Sequence, residues 1–208
     1  TATPNYPIVC INGTAMFSVT TVATGTNQVT YTWTVGARTY TTTTPSLSVG
    51  SEVTAEAGTY PVSVVLSNVC ETVSLDLGSI TVDAPPTISV QPVPQRVCES
   101  TSTTFSVTAS GTNITYQWLR NGQAIPGATS SSYTIASPTE ADEANYSVQI
   151  IGTTACGNLT SSVVSLIVDQ PAAISTDLLA SGQAVCEGGT ATYTVSATGT
   201  DLQFTWYK

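Results

Sequence analysis

Five cysteines, Cys10, Cys70, Cys98, Cys156 and Cys186, are the residues of this chain with the most chemistry in them. A thiolate can act as nucleophile, metal ligand or half of a disulfide. The chain contains no His, so it has no Ser–His–Asp triad and no His-ligated zinc. Its basic residues are only Arg38, Arg96, Arg120 and Lys208, and none is placed to activate a thiol. The cysteines therefore read as staples. Among the carboxylates, Glu140, Asp142 and Glu143 form the tightest cluster and read as a solvated loop. A glycosidase needs two carboxylates facing each other across a cleft, and the pattern suggests no such pair. Asp83 and Asp169 occupy equivalent "VD" positions. They are weak Ca²⁺ candidates, because a hard cation wants several oxygens and one Asp per site supplies few. The expectation is no catalytic residue, no cofactor and no enzyme.

The elements that must position these residues are strands. Only 8% of the 208 residues are charged, and short alternating runs such as "TFSVTAS" and "NYSVQI" recur without a helical period. The fold class read from this is all-β, with length for about two domains. A net charge of −9 leaves no basic footprint for nucleic acid and disfavours an anionic membrane surface. The longest apolar runs, such as "VSVVL" at 62–66, are too short to insert through a bilayer.

Internal repetition is the strongest signal. Cys10, Cys98 and Cys186 recur at an interval of 88 residues, as do Phe17, Phe105 and Tyr193. Trp33, Trp118 and Trp206 follow in "YTW", "YQW" and "FTW". The first unit carries three extra residues between its Phe and its Trp, in "TTVATGTNQ" at 20–28. "AEAGTYPVSV" matches "ADEANYSVQI", and in both units a cysteine follows the Tyr by ten positions, Tyr60 to Cys70 and Tyr146 to Cys156. "VDAPPTIS" matches "VDQPAAIS", and these Pro-containing segments read as linkers. The units are then 1–84, 85–170 and 171–208. The first is expected to lack part of its leading strand, the third to be an N-terminal half, and the protein to continue in both directions.

Residues 97–118, "VCESTSTTFSVTASGTNITYQW", resemble strands B and C of an immunoglobulin-type sandwich, which places a buried Trp on strand C. The resemblance implies tandem Ig-like β-sandwiches arranged end to end. It implies a core of Phe17, Trp33, Tyr60, Val62, Phe105, Trp118, Tyr146, Val148, Tyr193 and Trp206. In it Tyr60 and Tyr146 take the place of a tyrosine corner. Packing of Phe17 with Val62, and of Phe105 with Val148, replaces the usual disulfide between strands B and F. The reading predicts strands over 87–97 and 158–168 and a hairpin turn at Asn121-Gly122. It makes Trp33 and Trp118 core residues rather than a sugar-stacking platform with Tyr31 and Tyr116. Asn12, Asn113, Asn145 and Asn158 begin N-x-S/T sequons of the kind that arise by chance in a Thr/Ser-rich chain.

The quoted stretch, with "IPGATS", the late "ACG" and "VCEGGTATYTVSATGTDLQFTWYK", also resembles the Ig-like repeats of very large cell-surface adhesins of Bacteroidota. These include gliding adhesins exported by the type 9 secretion system. That resemblance implies structural stalk repeats, extracellular and at the bacterial cell surface. The implied partners are neighbouring repeats of the same chain, other chains of a surface filament, and the outer-membrane secretion machinery. The alternatives are a module that binds carbohydrate or a host protein, and an accessory segment of a secreted hydrolase.

Within the sandwich frame, Cys98 falls at the A–B turn and Cys156 in the F–G loop, at opposite ends of one domain. Some 20 Å would separate them at about 3.3 Å per residue. In a head-to-tail array the A–B cysteine of one unit meets the F–G cysteine of the next, which favours Cys10–Cys156. Pairing within each unit, Cys10–Cys70 and Cys98–Cys156, is the alternative, and free thiols are a third.

Overall fold

The computed structural model describes residues 7–21, 29–176 and 184–207. The first unit contains β1 (Ile8–Cys10), β2 (Ala15–Ser18), β3 (Thr30–Val35), β4 (Arg38–Thr42), β5 (Ser46–Val49), β6 (Gly58–Ser67) and β7 (Thr72–Asp83). One helical turn, α1 (Ser51–Thr54), links β5 to β6. Strands β1, β7, β6, β3 and β4 form one sheet in that order, and β2 pairs with β5 opposite. The alternation in "TYTWTV" buries Tyr31, Trp33 and Val35 on the inner face of β3. Phe17 and Leu47 meet them from the facing sheet. The extra residues expected at 20–28 lie mostly outside the described residues.

The second unit contains β8 (Thr87–Val90), β9 (Gln95–Cys98), β10 (Thr103–Ser106), β11 (Thr108–Ser110), β12 (Thr115–Arg120), β13 (Gln123–Ala124) and β14 (Ser132–Ile135). A 3-10 turn at Glu140–Asp142 precedes β15 (Ala144–Ile151), β16 (Asn158–Thr160) and β17 (Val164–Asp169). Its larger sheet runs β13, β12, β15, β17, β9, with β16 also on β15. Opposite lie the pairs β10–β14 and β8–β11. Trp118 is fully buried, with Phe105 and Tyr146 stacked at a centroid distance of 4.9 Å. This packing fills the place a core disulfide would take, and burying each such side chain stabilises by about 1.5–3 kcal/mol.

Two expected strands are broken. Over 87–97, Pro92 and Pro94 carry no N–H, and the chain leaves β11 and crosses to pair in parallel with β17. Over 158–168, Ser161 interrupts the ladder. Its backbone N–H donates to Val148 O and its Oγ accepts the Val148 N–H, so one residue serves both bonds of a rung.

The two units also differ in register. Trp118 lies opposite Val148, but Trp33 lies opposite Val64, two residues beyond the Val62 expected there. The hairpin turns explain the slide. Asn121 has φ 49° and Gly122 φ 80°, and the Asn121 Oδ1 accepts the Asn145 N–H. Gly36 stands at the equivalent turn and offers no side-chain acceptor. The slid register sets Pro61, which has no N–H to satisfy, against it, and Gly36 N–H donates to Pro61 O at 2.8 Å. A slip of two preserves the inward face, so Val62 and Val64 are both buried.

In the third unit, β18 (Ala173–Thr176) pairs with β19 (Ser196–Thr198). Tyr193 and Trp206, expected in a core, are instead 53% and 58% exposed. Among the described residues no second sheet lies over them. The chain is thus all-β, with two immunoglobulin-like sandwiches in tandem and two strands of a third unit.

Candidate functional site

The residues with chemistry collect at the junctions between units. At the first junction, β1 runs parallel to β7 and sets Cys10 beside Asp83, at the end of the first sandwich. The chain then passes through Ala84, Pro85 and Pro86 into β8. Thr112, in the loop between β11 and β12, clasps this connector. Its Oγ1 accepts the Ala84 N–H at 2.9 Å and its own N–H donates to Ala84 O at 3.1 Å. Gly111, at φ 148°, lets the loop close in. A Cβ there would meet Ile114 Cγ2 at 2.8 Å and Pro85 O at 3.0 Å. On the other side, the loop 152–157 carries Cys156 onto the same end. Cys10 and Cys156 form a disulfide with a Cα–Cα distance of 5.0 Å, joining residues 146 apart in sequence. The Cys156 sulfur also rests 3.2 Å from Asp83 O, a packing contact since a disulfide sulfur has no hydrogen to donate.

The second junction repeats the clasp. Thr200 Oγ1 accepts the Gln170 N–H at 2.7 Å, and Thr200 N–H donates to Gln170 O at 3.1 Å. Gly199, at φ 138°, approaches Pro171 O and Ala172 as Gly111 approaches its own connector. Cys98 lies beside Asp169 as Cys10 lies beside Asp83. The closure is ionic. Arg96 donates from Nε and Nη2 to both carboxylate oxygens of Asp169, at 2.7 and 2.9 Å, and from Nη2 to Asp201 Oδ2 at 2.6 Å. The guanidinium holds the Asp169 carboxyl below its ordinary pKa. Arg96 itself is shifted upward, chiefly by hydrogen bonding to Asp169 and then to Asp201.

The side chains of the other candidate residues take no part in these closures. Cys70, Cys98 and Cys186 are exposed free thiols. Asp83 is buried, and its backbone O accepts the Ile11 N–H. Among the described residues no group of three His, Cys, Asp or Glu is arranged to hold a metal. The acidic cluster is a structural cap: Asp142 Oδ2 accepts from Thr139 N–H and Oγ1, and Glu143 Oε1 accepts the Val168 N–H. Tyr60 and Tyr146 donate to the carbonyls of Glu56 and Asp142, four residues upstream. Tyr60 is half-buried; Phe17, Trp33, Val62, Phe105, Trp118, Tyr146 and Val148 are buried. Trp33 and Trp118 spend their indole N–H groups on Thr42 Oγ1 and Ser130 O, inside their own units.

Sequence reasoning missed the threonine clasps and the Arg96 bridge. The signal was present: "SGTN" at 110–113 and "TGTD" at 198–201 repeat at the same interval as the cysteines.

The immunoglobulin domain family matches residues 85–150. Among solved structures, an I-band fragment of titin superposes with a TM-score of 0.63 at 17% identity, covering 83% of this chain and 65% of the fragment. Extracellular domains 3–5 of Drosophila OTK superpose with a TM-score of 0.53 at 19% identity, covering 78% of this chain and 58% of that one. The chain spans less than two thirds of either fragment, and at these identities the likeness is one of fold. No curated protein matches the sequence.

Proposed function

We propose that this chain is a piece of an extracellular stalk, in which tandem Ig-like units hold a distal binding region of a bacterial surface adhesin away from the cell. The observation that carries this reading is the Cys10–Cys156 disulfide, which joins one unit to the next rather than one sheet to the other. A bond there does little for either sandwich alone and much for the pair under tension. Force entering near the first unit crosses directly from Cys10 to Cys156, so residues 11–155 are bypassed. Units that contact mainly their neighbours suit such a rod. The low charge, the Thr/Ser-rich surface and the resemblance of the repeats to those of Bacteroidota adhesins support the same reading. On this reading the work of the sandwiches is to keep distance and direction.

Pulling single molecules from the two chain ends tests this. The oxidised chain should withhold the 146-residue loop, and reduction should release about 500 Å of further contour length at 3.3–3.6 Å per residue. Equal extension in both states would remove the basis for the stalk.

A further inference from the structure

We infer that Cys98 is the built half of a second inter-unit disulfide, whose partner is a cysteine on an F–G loop packed against the third unit, that of β18 and β19. Two independent observations converge. The first is position. Cys98 sits opposite Asp169 in the same parallel register that sets Cys10 opposite Asp83, and the residues after them, Ser100 and Asn12, make the same turn at φ 63°. The third unit is held against this end by the clasp that holds the second unit against the first, Thr200 on Gln170 in place of Thr112 on Ala84. An F–G loop completing the third unit therefore comes down over Cys98 as the loop carrying Cys156 comes down over Cys10.

The second observation is the open sheet. Trp206, Phe204 and Tyr193 are each more than half exposed, whereas Trp118 and Phe105, the counterparts of Trp206 and Tyr193, are buried in a sandwich whose larger sheet continues from β12 through β15 and β17. The strand pair that fits is of that type: a Tyr-x-Val strand followed, ten residues after its Tyr, by a cysteine. Cys98 is exposed and unbonded, so nothing blocks it.

The bond forms when the two thiols lose one proton each and two electrons in all. The electrons pass to a low-molecular-weight disulfide such as oxidised glutathione, which leaves as two thiols by exchange through a mixed disulfide. On the stalk reading this would extend the covalent shunt into the next unit. Pulling data that contradict the stalk leave the chemistry at Cys98 unaffected, so the two fail separately.

The test appends a copy of residues 121–170 after Lys208, completing the third unit with a cysteine in the F–G position. The protein is refolded in a glutathione redox buffer and mapped without reduction. The expected result is one new bond, from Cys98 to the added cysteine, lost in Cys98→Ser while Cys10–Cys156 remains. A buried Trp206 with both thiols still alkylatable, or a bond to Cys186, overturns the inference. Should the added half fail to bury Trp206, the natural chain is incubated instead with a peptide of residues 139–170. Capture at Cys98 should exceed that at Cys70 and Cys186 about tenfold or more, as docking raises effective concentration. Equal capture by the three exposed thiols overturns it.

Discussion

At the first joint Thr112 clasps Ala84, and Cys10 is bonded to Cys156; at the second, Thr200 clasps Gln170, and Arg96 bridges Asp169 to Asp201. The exchange is residue for residue along the repeat. Ile8 and Asn113 stand at the first joint where Arg96 and Asp201 stand at the second, and Ile8 is exposed with no charge to offer. One set of loops thus provides the geometry, and closure is a separable addition. A covalent closure resists pH and salt and yields to reductant. An exposed ionic closure does the reverse.

The largest effect should come from removing what both joints stand on. Trp118→Ala empties the centre of the second sandwich and should cost about 3–5 kcal/mol, enough to unfold that unit. Denaturant titration should show it as a lost transition, with Cys156 no longer oxidised to Cys10. If Cys10–Cys156 still formed, the bond would not depend on the folded second unit and the comparison would collapse.

Next comes Cys156→Ser, which makes the first joint as uncrosslinked as the second. It should destabilise the coupled pair of sandwiches by roughly 2–4 kcal/mol, seen as a lower denaturant midpoint without reductant. Cys98→Ser, at the equivalent place in the second joint, should leave that midpoint unchanged.

Thr112→Val keeps the shape of the clasp and removes the acceptor for the Ala84 N–H. The expected loss is about 1 kcal/mol, with faster amide exchange at Ala84. Thr200→Val should do the same at Gln170. A large effect at one joint and none at the other would show that the clasps are not equivalent.

The smallest effect belongs to Arg96→Ala. Its groups face solvent, so thermal stability should barely change, while the orientation of the third unit, read by residual dipolar couplings, should broaden. Acid should act on the same joint. Asp169 has a lowered folded-state pKa, so its contribution is complete above the ordinary carboxylate value of about 3.9 and is lost as pH falls below that toward the lowered value. Added salt should loosen this joint at neutral pH and leave the first unchanged.

The sandwich was legible because period-two burial around Trp33 and Trp118 writes itself directly into "TYTWTV" and "TYQWLR". The tyrosine corners and the Asn121-Gly122 turn were legible for the same local reason. The break at Pro92–Pro94 was not, because a strand that changes sheets keeps its alternation while it loses its partner; nor was the break at Ser161, where the chain stays on β15 and a side-chain hydroxyl replaces one ladder bond. The two-residue slide of β6 was hidden because Val62 and Val64 satisfy the same inward pattern. Its cause is a pairing of Gly36 with Pro61 that no single stretch reveals. The clasps escaped notice because Thr112 and Thr200 sit in loops of common polar residues, where only the repeat marks them out. Tyr193 and Trp206 show the limit from the other side: the motif of a core residue is local, but burial needs a second sheet.

Which sulfurs are joined decides whether the first joint is covalent. Alkylating the native protein and mapping its peptides without reduction should recover one disulfide-linked pair containing Cys10 and Cys156, with Cys70, Cys98 and Cys186 alkylated. Recovery of Cys10 with Cys70, and of Cys98 with Cys156, would place each staple within its own unit and contradict the covalent joint.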